Sequence, residues 1–110
     1  MDKISGAVEN GSIEYKDFPA HVDEVVCLKG MVHRIREMTG FAFVIIRTAR
    51  DVVQCVYSPD FSDYRLDDSV AEECAVKVTG KVVKDATREG RYEMRIHNIE
   101  VLSHPAELSP

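Results

Sequence analysis

Apolar and polar residues alternate along five separate segments of the 110-residue chain. Alternation with a period of two is typical of a β-strand that has one buried face. The five predicted strands cover residues 25–36, 41–47, 52–57, 75–84 and 91–102. Short turn sequences separate the first three strands, and a charged loop joins the last two. The pattern therefore predicts a mainly β protein.

The connection between the third and fourth strands is longer than the others, and it is acidic and polar. Its residues Leu66, Val70 and Ala71 have helical spacing, which predicts a short helix over about residues 67–73. A three-stranded meander, a helix and a hairpin follow one another in the OB-fold, a five-stranded partly open barrel. An SH3-like barrel is the alternative, but the long connection fits it less well.

The length of the chain predicts one domain. We expect residues 1–13 to be a flexible N-terminus, residues 14–102 to form the barrel, and residues 103–110, which include two prolines, to be a linker or tail. No apolar stretch approaches the roughly 20 residues that span a bilayer. The N-terminus also lacks the apolar core of a signal peptide. We therefore expect a cytoplasmic protein that does not contact a membrane.

Charge is distributed unevenly along the chain. Residues 29–50 contain five basic residues and one acidic residue, a net charge of +4 that leaves −9 for the rest of a chain whose total is −5. An acidic protein with one basic segment can attract a phosphate backbone at one face and repel it elsewhere. This distribution favours a specific nucleic-acid site over general polyanion binding.

Alternation in the second and third strands separates an inner set of side chains from an outer set. The inner set is expected to be Ala42, Val44, Ile46, Val53, Cys55 and Tyr57. The outer set then includes Phe43 and Gln54, on adjacent strands. An exposed aromatic ring can stack on an unpaired base, and a glutamine amide can read a base edge. The alternatives are that Phe43 belongs to the core and that Gln54 is an ordinary solvated side chain.

The alternation changes phase within the fifth strand. Its inward residues are first Tyr92, Met94 and Ile96, and then Ile99 and Val101. A bulge near residues 97–98 reconciles the two registers. It turns Glu100 outward, where we expect it to lie beside the surface of the first strand. A carboxylate there can accept hydrogen bonds from a guanine edge; a solvated glutamate is the alternative.

Taken together, these residues resemble the N-terminal anticodon-binding domain of class IIb aminoacyl-tRNA synthetases, most closely the aspartyl and asparaginyl enzymes. The matching segments are residues 30–36, 41–43, 47, 53–54, 78–80 and 99–102. The resemblance spans about residues 22–102 and implies an OB-fold that binds the anticodon loop of tRNA. It also implies that a catalytic synthetase domain acts with this module, in cis or in trans.

The resemblance implies a role for four of these residues. Phe43 matches an aromatic residue that stacks on the central anticodon base, a uridine, and Gln54 matches a glutamine that hydrogen-bonds the same base. Arg36 matches an arginine that contacts the third anticodon base. Glu100 matches a glutamate that reads the guanine-type first base.

Two further arginines match the family more weakly. Arg34 and Arg47 correspond to backbone contacts or to structural ion pairs. The turn over residues 48–51 departs from the family because it lacks the usual glycine. That departure weakens the case for phosphate contacts from this turn, but it does not involve Phe43 or Gln54.

The sequence shows no catalytic or metal-binding pattern. It has no glycine-rich phosphate loop and no Ser/His/Asp set, and its histidines and three cysteines lack metal-ligand spacing. We therefore expect buried reduced thiols, no cofactor or metal, and no catalysis by this chain alone. Two other functions remain open, a sequence-tolerant single-strand binder and a protein-interaction or dimerisation module. As an isolated domain the chain is expected to be a monomer or a weak dimer.

Overall fold

A computed structural model of the protein describes residues 13–62 and 70–103. A short 3-10 helix, Tyr15–His21, precedes five strands. The strands are β1 (Val25–Met38), β2 (Phe41–Arg47), β3 (Val52–Tyr57), β4 (Ala75–Lys84) and β5 (Tyr92–Ser103). Every strand end lies within two residues of its predicted position. The prediction of a five-stranded OB-fold is therefore confirmed.

The five strands form a closed barrel in the order β1-β2-β3-β5-β4. β1 is long enough to pair with two neighbours, with β4 along its first half and with β2 along its second half. The barrel closes where β3 and β5 run parallel and pair Cys55 with Met94 and Val56 with Arg95. This closure brings the start of β5 beside the middle of β3.

Two glycines lie where a neighbouring strand leaves no room for a side chain. A Cβ atom at Gly30 would lie 2.6 Å from the carbonyl oxygen of Arg47 and 2.7 Å from Cγ2 of Ile46. A Cβ atom at Gly80 would collide in the same way with the backbone of Arg95 and the side chain of Met94. Both glycines lie within strands, at positions where no larger residue would fit beside the neighbouring strand.

The core fills the barrel with aliphatic side chains. Val26, Leu28, Val44, Ile46, Val53, Val76, Val78, Val82, Met94 and Ile96 are completely buried. Phe18 of the 3-10 helix is also completely buried and packs against this cluster. The hydroxyl of Tyr15 accepts a hydrogen bond from the backbone N–H of Tyr92 at 3.0 Å, which ties the helix to β5.

Ile13, which the sequence placed at the end of the flexible N-terminus, is buried, and its backbone N–H donates to the carbonyl of Cys27 at 3.0 Å. The three cysteines are buried thiols, as predicted. Burial raises the pKa of the Cys55 thiol far above its ordinary value, so this thiol stays protonated.

The predicted bulge in the fifth strand is confirmed. Thr79 pairs with Asn98 and Gly80 pairs with Ile96, so His97 has no partner of its own on β4. Ile96 and Ile99 are both buried on either side of this irregularity. Because of this one extra residue, the inward side chains before the bulge and those after it all face the core.

Some expectations fall outside the described residues. Of the helix expected over residues 67–73, residues 67–69 lie in the segment 63–69, which is outside them; residues 70–73 are not helical and end in a turn at residues 72–73. The tail over residues 104–110 and residues 1–12 are likewise outside the described part of the chain. Within residues 13–62 and 70–103, no helix is long and apolar enough to cross a membrane.

Candidate nucleic-acid interface

Most of the predicted site lies on the outer surface of β1, β2 and β3. The strand register places Arg36 directly opposite Phe43. Two residues further along β2, Arg34 lies opposite Ile45, and Ile45 lies opposite Gln54. Directly paired residues have Cβ atoms about 4.5–5.5 Å apart, so these side chains form one continuous surface. We call the surface formed by these five residues the candidate interface.

Phe43 belongs to this surface and not to the core. Burial alternates along β2, with Ala42, Val44 and Ile46 buried and Phe43 half-buried between them. The ring of Phe43 contacts the ring of Phe41 edge to face, with centroids 5.3 Å apart and planes at 88°. The neighbouring ring therefore holds Phe43 in place while part of it stays open to solvent.

A carboxylate that was not among the predicted site residues holds Gln54 in one orientation. Its Nε2 donates a hydrogen bond to Oε1 of Glu93 at 3.0 Å. Glu93 comes from β5, where it precedes Met94, the residue that pairs with Cys55 of β3. Because Nε2 points to Glu93, the Oε1 atom of Gln54 points away and can accept a hydrogen bond from another group.

The electrostatic state of Glu93 follows from its position. Glu93 is half-buried, and this burial raises the pKa of its carboxyl group, while the hydrogen bond from Gln54 and the charge of Arg95 act in the opposite direction. Arg95 lies opposite Val56 on the parallel pair of strands, and its guanidinium carbon lies 5.4 Å from the centroid of the Phe61 ring. The site therefore contains a carboxylate flanked by a cation and an amide.

The arginines of the candidate interface are exposed and unpaired within the described residues. The ion pairs in residues 13–62 and 70–103 are Glu14–Lys16, His21–Glu24 and Asp85–Arg88. None of them uses Arg34, Arg36 or Arg47, so the structure gives no support to the reading of Arg34 and Arg47 as structural ion pairs. Arg47 lies at the end of β2, opposite Met31 and Val52, at the margin of the candidate interface.

Glu100 is exposed, as predicted, but the structure does not bring it to the candidate interface. It pairs with Lys77 of β4, and Lys77 pairs with Lys29 of β1, so β4 lies between Glu100 and β1. Lys29 is seven residues before Arg36, roughly 23 Å along an extended strand. The expectation that Glu100 lies beside the first strand was wrong, because β5 leaves β3 after its first half and continues along β4 alone.

Glu93 is the residue of the site that the sequence reasoning missed. Alternation in the fifth strand puts it outward between the inward residues Tyr92 and Met94, and this signal was available. Its relevance depends on the parallel pairing of β3 with β5, which joins segments almost 40 residues apart. In the described residues, no group of three or more histidine, cysteine or acidic side chains could hold a metal ion.

Comparison with known proteins agrees with this geometry. Residues 26–102 match the tRNA anti-codon family model, which is described as an OB-fold nucleic acid binding domain. The aspartate–tRNA ligase of Staphylococcus epidermidis is 37% identical over 91 residues, which cover 74% of this chain and 16% of that protein. The aspartate–tRNA ligase of Thermosipho africanus is 33% identical over 106 residues, which cover 91% of this chain and 17% of that protein.

Solved structures share the fold. The asparaginyl-tRNA synthetase of Pyrococcus horikoshii superimposes with a TM-score of 0.70 at 21% identity, over 91% of this chain and 27% of that chain. The chain thus spans about a sixth of the length of the curated ligases it matches. The resemblance to aspartyl- and asparaginyl-tRNA synthetases is confirmed, and because the family model covers well over half of its length, the chain belongs to the tRNA anti-codon family of OB-fold nucleic acid binding domains.

Proposed function

We propose that this chain binds the anticodon loop of a tRNA of the aspartate or asparagine type, as a module of a longer synthetase. The observation that carries the proposal is the hydrogen bond between Gln54 and Glu93, made beside Phe43 on the outer surface of the barrel. A stacking ring next to an oriented amide is the combination that a protein needs to hold and read one unpaired base.

Phe43 supplies the stacking surface. Base stacking on an aromatic side chain contributes roughly 1–3 kcal/mol and tolerates any base. Phe43 therefore gives affinity, and the choice of base must come from neighbouring polar groups. Arg36, directly opposite Phe43, can contact a phosphate, pair with a base edge or stack, and the family resemblance favours the third anticodon base as its target. Arg34 and Arg47 add positive charge for the phosphate backbone.

Gln54 supports a preference for uridine at the stacked position. Its Oε1 is directed away from Glu93 and can accept a hydrogen bond from the N3–H group of uracil. The second hydrogen of Nε2 can donate to an adjacent carbonyl oxygen of the same base. Cytosine has a lone pair at N3, so it would face the oxygen of Gln54 with a second acceptor. The hydrogen bond to Glu93 thereby prevents the Gln54 amide from flipping, so that the acceptor Oε1 and the donor Nε2 keep fixed positions toward the base.

Glu93 is also the carboxylate best placed to accept hydrogen bonds from a guanine-type neighbour of that uridine. The family resemblance assigned this role to Glu100, but Glu93 lies at the candidate interface and Glu100 pairs with Lys77 on β4. We therefore place the reading of the first anticodon base with Glu93 and keep Glu100 as the alternative. The variants Glu93→Gln and Glu100→Gln separate the two by their effect on loops with a guanine-type first base.

Titration of the chain with anticodon stem-loops tests the proposal. Replacing the central uridine by cytidine, or Phe43 by alanine, should each weaken binding, the second by about 1–3 kcal/mol. Val52→Ala is the matched control, because Val52 is 49% exposed and lies on the outside of the same sheet, away from Phe43. Its affinity should equal that of the unmodified chain.

Three results contradict the proposal. Equal affinity for all loops would eliminate base-specific readout, and a poly-pyrimidine strand that competes as well as the stem-loop would indicate a sequence-tolerant binder. Concentration-dependent self-association without any binding of RNA would favour a protein-interaction module. We assign no catalysis to these 110 residues, so a charging assay with this chain, ATP, amino acid and tRNA should yield no aminoacyl-tRNA.

A further inference from the structure

The short 3-10 helix, Tyr15–His21, lies between the barrel core and the start of β5. Phe18 of this helix is completely buried in the core. The ring of Tyr15 packs against the ring of Phe18, with centroids 5.1 Å apart and planes at 49°. Tyr15 is partly buried and extends from the helix to β5. The helix thus carries one aromatic residue that anchors it and a second that contacts another element.

Backbone hydrogen bonds hold the helix on both sides. Before it, the N–H of Ile13 donates to the carbonyl of Cys27 on β1 at 3.0 Å. After it, the N–H of Asp23 donates to the carbonyl of Val82 on β4 at 2.7 Å. The N–H of Val82 in turn donates to the carbonyl of Glu24 at 3.0 Å. The helix is therefore fixed to the barrel, and so are the side chains that it carries.

The hydroxyl of Tyr15 bonds the edge of β5 that faces β3. The carbonyl of Arg91 accepts a hydrogen bond from the N–H of Asp85 on the β4 side, so the next N–H, that of Tyr92, points to the opposite edge. This N–H donates to the hydroxyl of Tyr15 at 3.0 Å. Two residues further along this edge, at Met94, β5 begins to pair with β3. Tyr15 therefore takes the place of a strand partner just before the barrel closes.

A second contact joins the same ring to the preceding residue. The guanidinium carbon of Arg91 lies 5.0 Å from the centroid of the Tyr15 ring. A cation at this distance is attracted to the negative face of an aromatic ring. Arg91 and Tyr92 are consecutive, so one tyrosine holds two successive residues at the start of β5, and Glu93 comes directly after them.

Glu93 is the residue whose carboxylate orients Gln54, through a hydrogen bond of 3.0 Å from Nε2 to Oε1. The ladder with β4 fixes where Glu93 lies along the hairpin, since Glu93 pairs with Val83. The parallel pairs that join β5 to β3 lie after Glu93. On the other side of Glu93, the contact that holds β5 toward β3 is the one with Tyr15.

We propose that Tyr15 is a positioning residue for base recognition, which holds the start of β5 so that Glu93 meets Gln54 and fixes the direction of its amide. The inference rests on the proposed function and adds to it a residue from the N-terminal helix. Tyr15 acts on the base through Glu93 and Gln54. Loss of its hydroxyl should therefore lower the preference for a central uridine.

Tyr15→Phe tests this, because it deletes the hydroxyl and keeps the ring. The ratio of the affinities for stem-loops with a central uridine and a central cytidine should fall roughly 2- to 10-fold, the range of one hydrogen bond. It should fall no further than in Gln54→Ala, because Tyr15 acts through Gln54. Tyr57→Phe is the matched control, since Tyr57 packs against the same core at the last position of β3, and its ratio should stay unchanged.

A merely structural role of Tyr15 predicts a different result. A less stable chain has a smaller folded fraction, which weakens binding of both loops equally and leaves their ratio constant. Such an outcome overturns the inference, and urea unfolding of Tyr15→Phe measures the stability independently. A double-mutant cycle adds a second criterion, because Tyr15→Phe should have no further effect on the ratio in a Glu93→Ala chain. An equal effect in both backgrounds also overturns the inference.

The link from Tyr15 to Gln54 can be measured without RNA. In ¹H–¹⁵N spectra of the Tyr15→Phe chain, the amide hydrogen of Tyr92 should exchange faster with solvent, because it has lost its acceptor. The side-chain amide signals of Gln54 should move toward their positions in the Glu93→Ala chain, because both changes disturb the same hydrogen bond.

The outcomes separate this inference from the proposed function. If Tyr15→Phe leaves the Gln54 signals and the affinity ratio unchanged, while Phe43→Ala and a central cytidine weaken binding, the inference fails and the proposed function stands. If the unmodified chain binds all loops equally, both proposals fail, whatever the Gln54 signals show. A lower ratio together with displaced Gln54 signals supports both.

Discussion

The two faces of β2 and β3 have similar apolar character and opposite roles. On the inner face, Val44, Ile46, Val53 and Cys55 are completely buried. On the outer face, Phe43, Ile45, Gln54 and Val56 are only half-buried. Composition alone hardly distinguishes the faces, since each carries mostly large apolar side chains. Burial is what separates side chains that stabilise the barrel from side chains that remain available to a ligand.

The two faces gain the free energy of burying apolar side chains in different steps. An inner side chain gains its transfer free energy, roughly 1.5–3 kcal/mol for a full burial, when the protein folds. An outer side chain such as Phe43 gains only part of it on folding and can gain the rest when a ligand covers it. Substitutions on the two faces should therefore affect different measurements.

The largest expected effect is on the inner face. Ile46→Ala should lower the free energy of unfolding by about 2–5 kcal/mol, because it leaves a cavity in a fully packed core. Its neighbour Ile45 has the same side chain on the outer face, so Ile45→Ala should cost clearly less. Urea denaturation of both variants measures the difference. Equal losses would show that the outer face is as well packed as the core.

A smaller effect is expected from the polar group of the outer face. Gln54→Ala should reduce the affinity for a loop with a central uridine by about 0.5–1.5 kcal/mol, the net contribution of one hydrogen bond. The same variant should bind uridine and cytidine loops alike, because it has no oriented amide. Binding measured against both loops gives the discrimination directly. If the variant still preferred the uridine loop over the cytidine loop, another residue would be responsible for recognising the base.

The smallest effect concerns the protonation of Glu93. Burial raises the pKa of Glu93 in the folded chain above its ordinary value, so the folded state holds the proton more tightly than the unfolded state does. This tighter proton binding stabilises the folded state. The stabilisation is complete below the unfolded-state pKa of Glu93 and is lost as the pH rises through its folded-state pKa. The free energy of unfolding should therefore fall slightly over this window, which begins at the ordinary glutamate range.

RNA affinity should change in the opposite direction over the same window, because the ionised carboxylate is the form that accepts the hydrogen bond from Gln54. Glu93→Gln should remove both pH dependences, and Glu100→Gln, the matched control, should retain both. Urea denaturation and stem-loop titration at several pH values measure them. If instead Glu100→Gln alone weakens binding of loops with a guanine-type first base, the reading of that base belongs to Glu100.

The strands and their faces could be predicted because they depend on local pattern. Alternation separated Val44 and Ile46 from Phe43 correctly, since a period of two fixes which side of a strand each residue occupies. The phase change in the fifth strand likewise revealed the bulge at His97. Alternation therefore placed Phe43 and Gln54 in the same outer set, and burial in the structure confirms that this set faces outward.

The placement of the carboxylates could not be obtained in this way. Alternation shows that Glu93 and Glu100 both point outward, but it does not show which strand lies beside each of them. β5 has β3 on one side near Glu93 and β4 beside Glu100. Without that information, the carboxylate at the end of the strand was assigned to the site and the one at its start was overlooked.

Short-range periodicity and residue types in a fixed order were sufficient to predict the five strands, the residues that share each face and the family to which they are similar. The hydrogen bond by which Glu93 orients Gln54 became apparent only in the folded barrel. The physical reason is that this contact forms where the barrel closes by pairing β3 with β5, and no single segment of the sequence specifies that pairing.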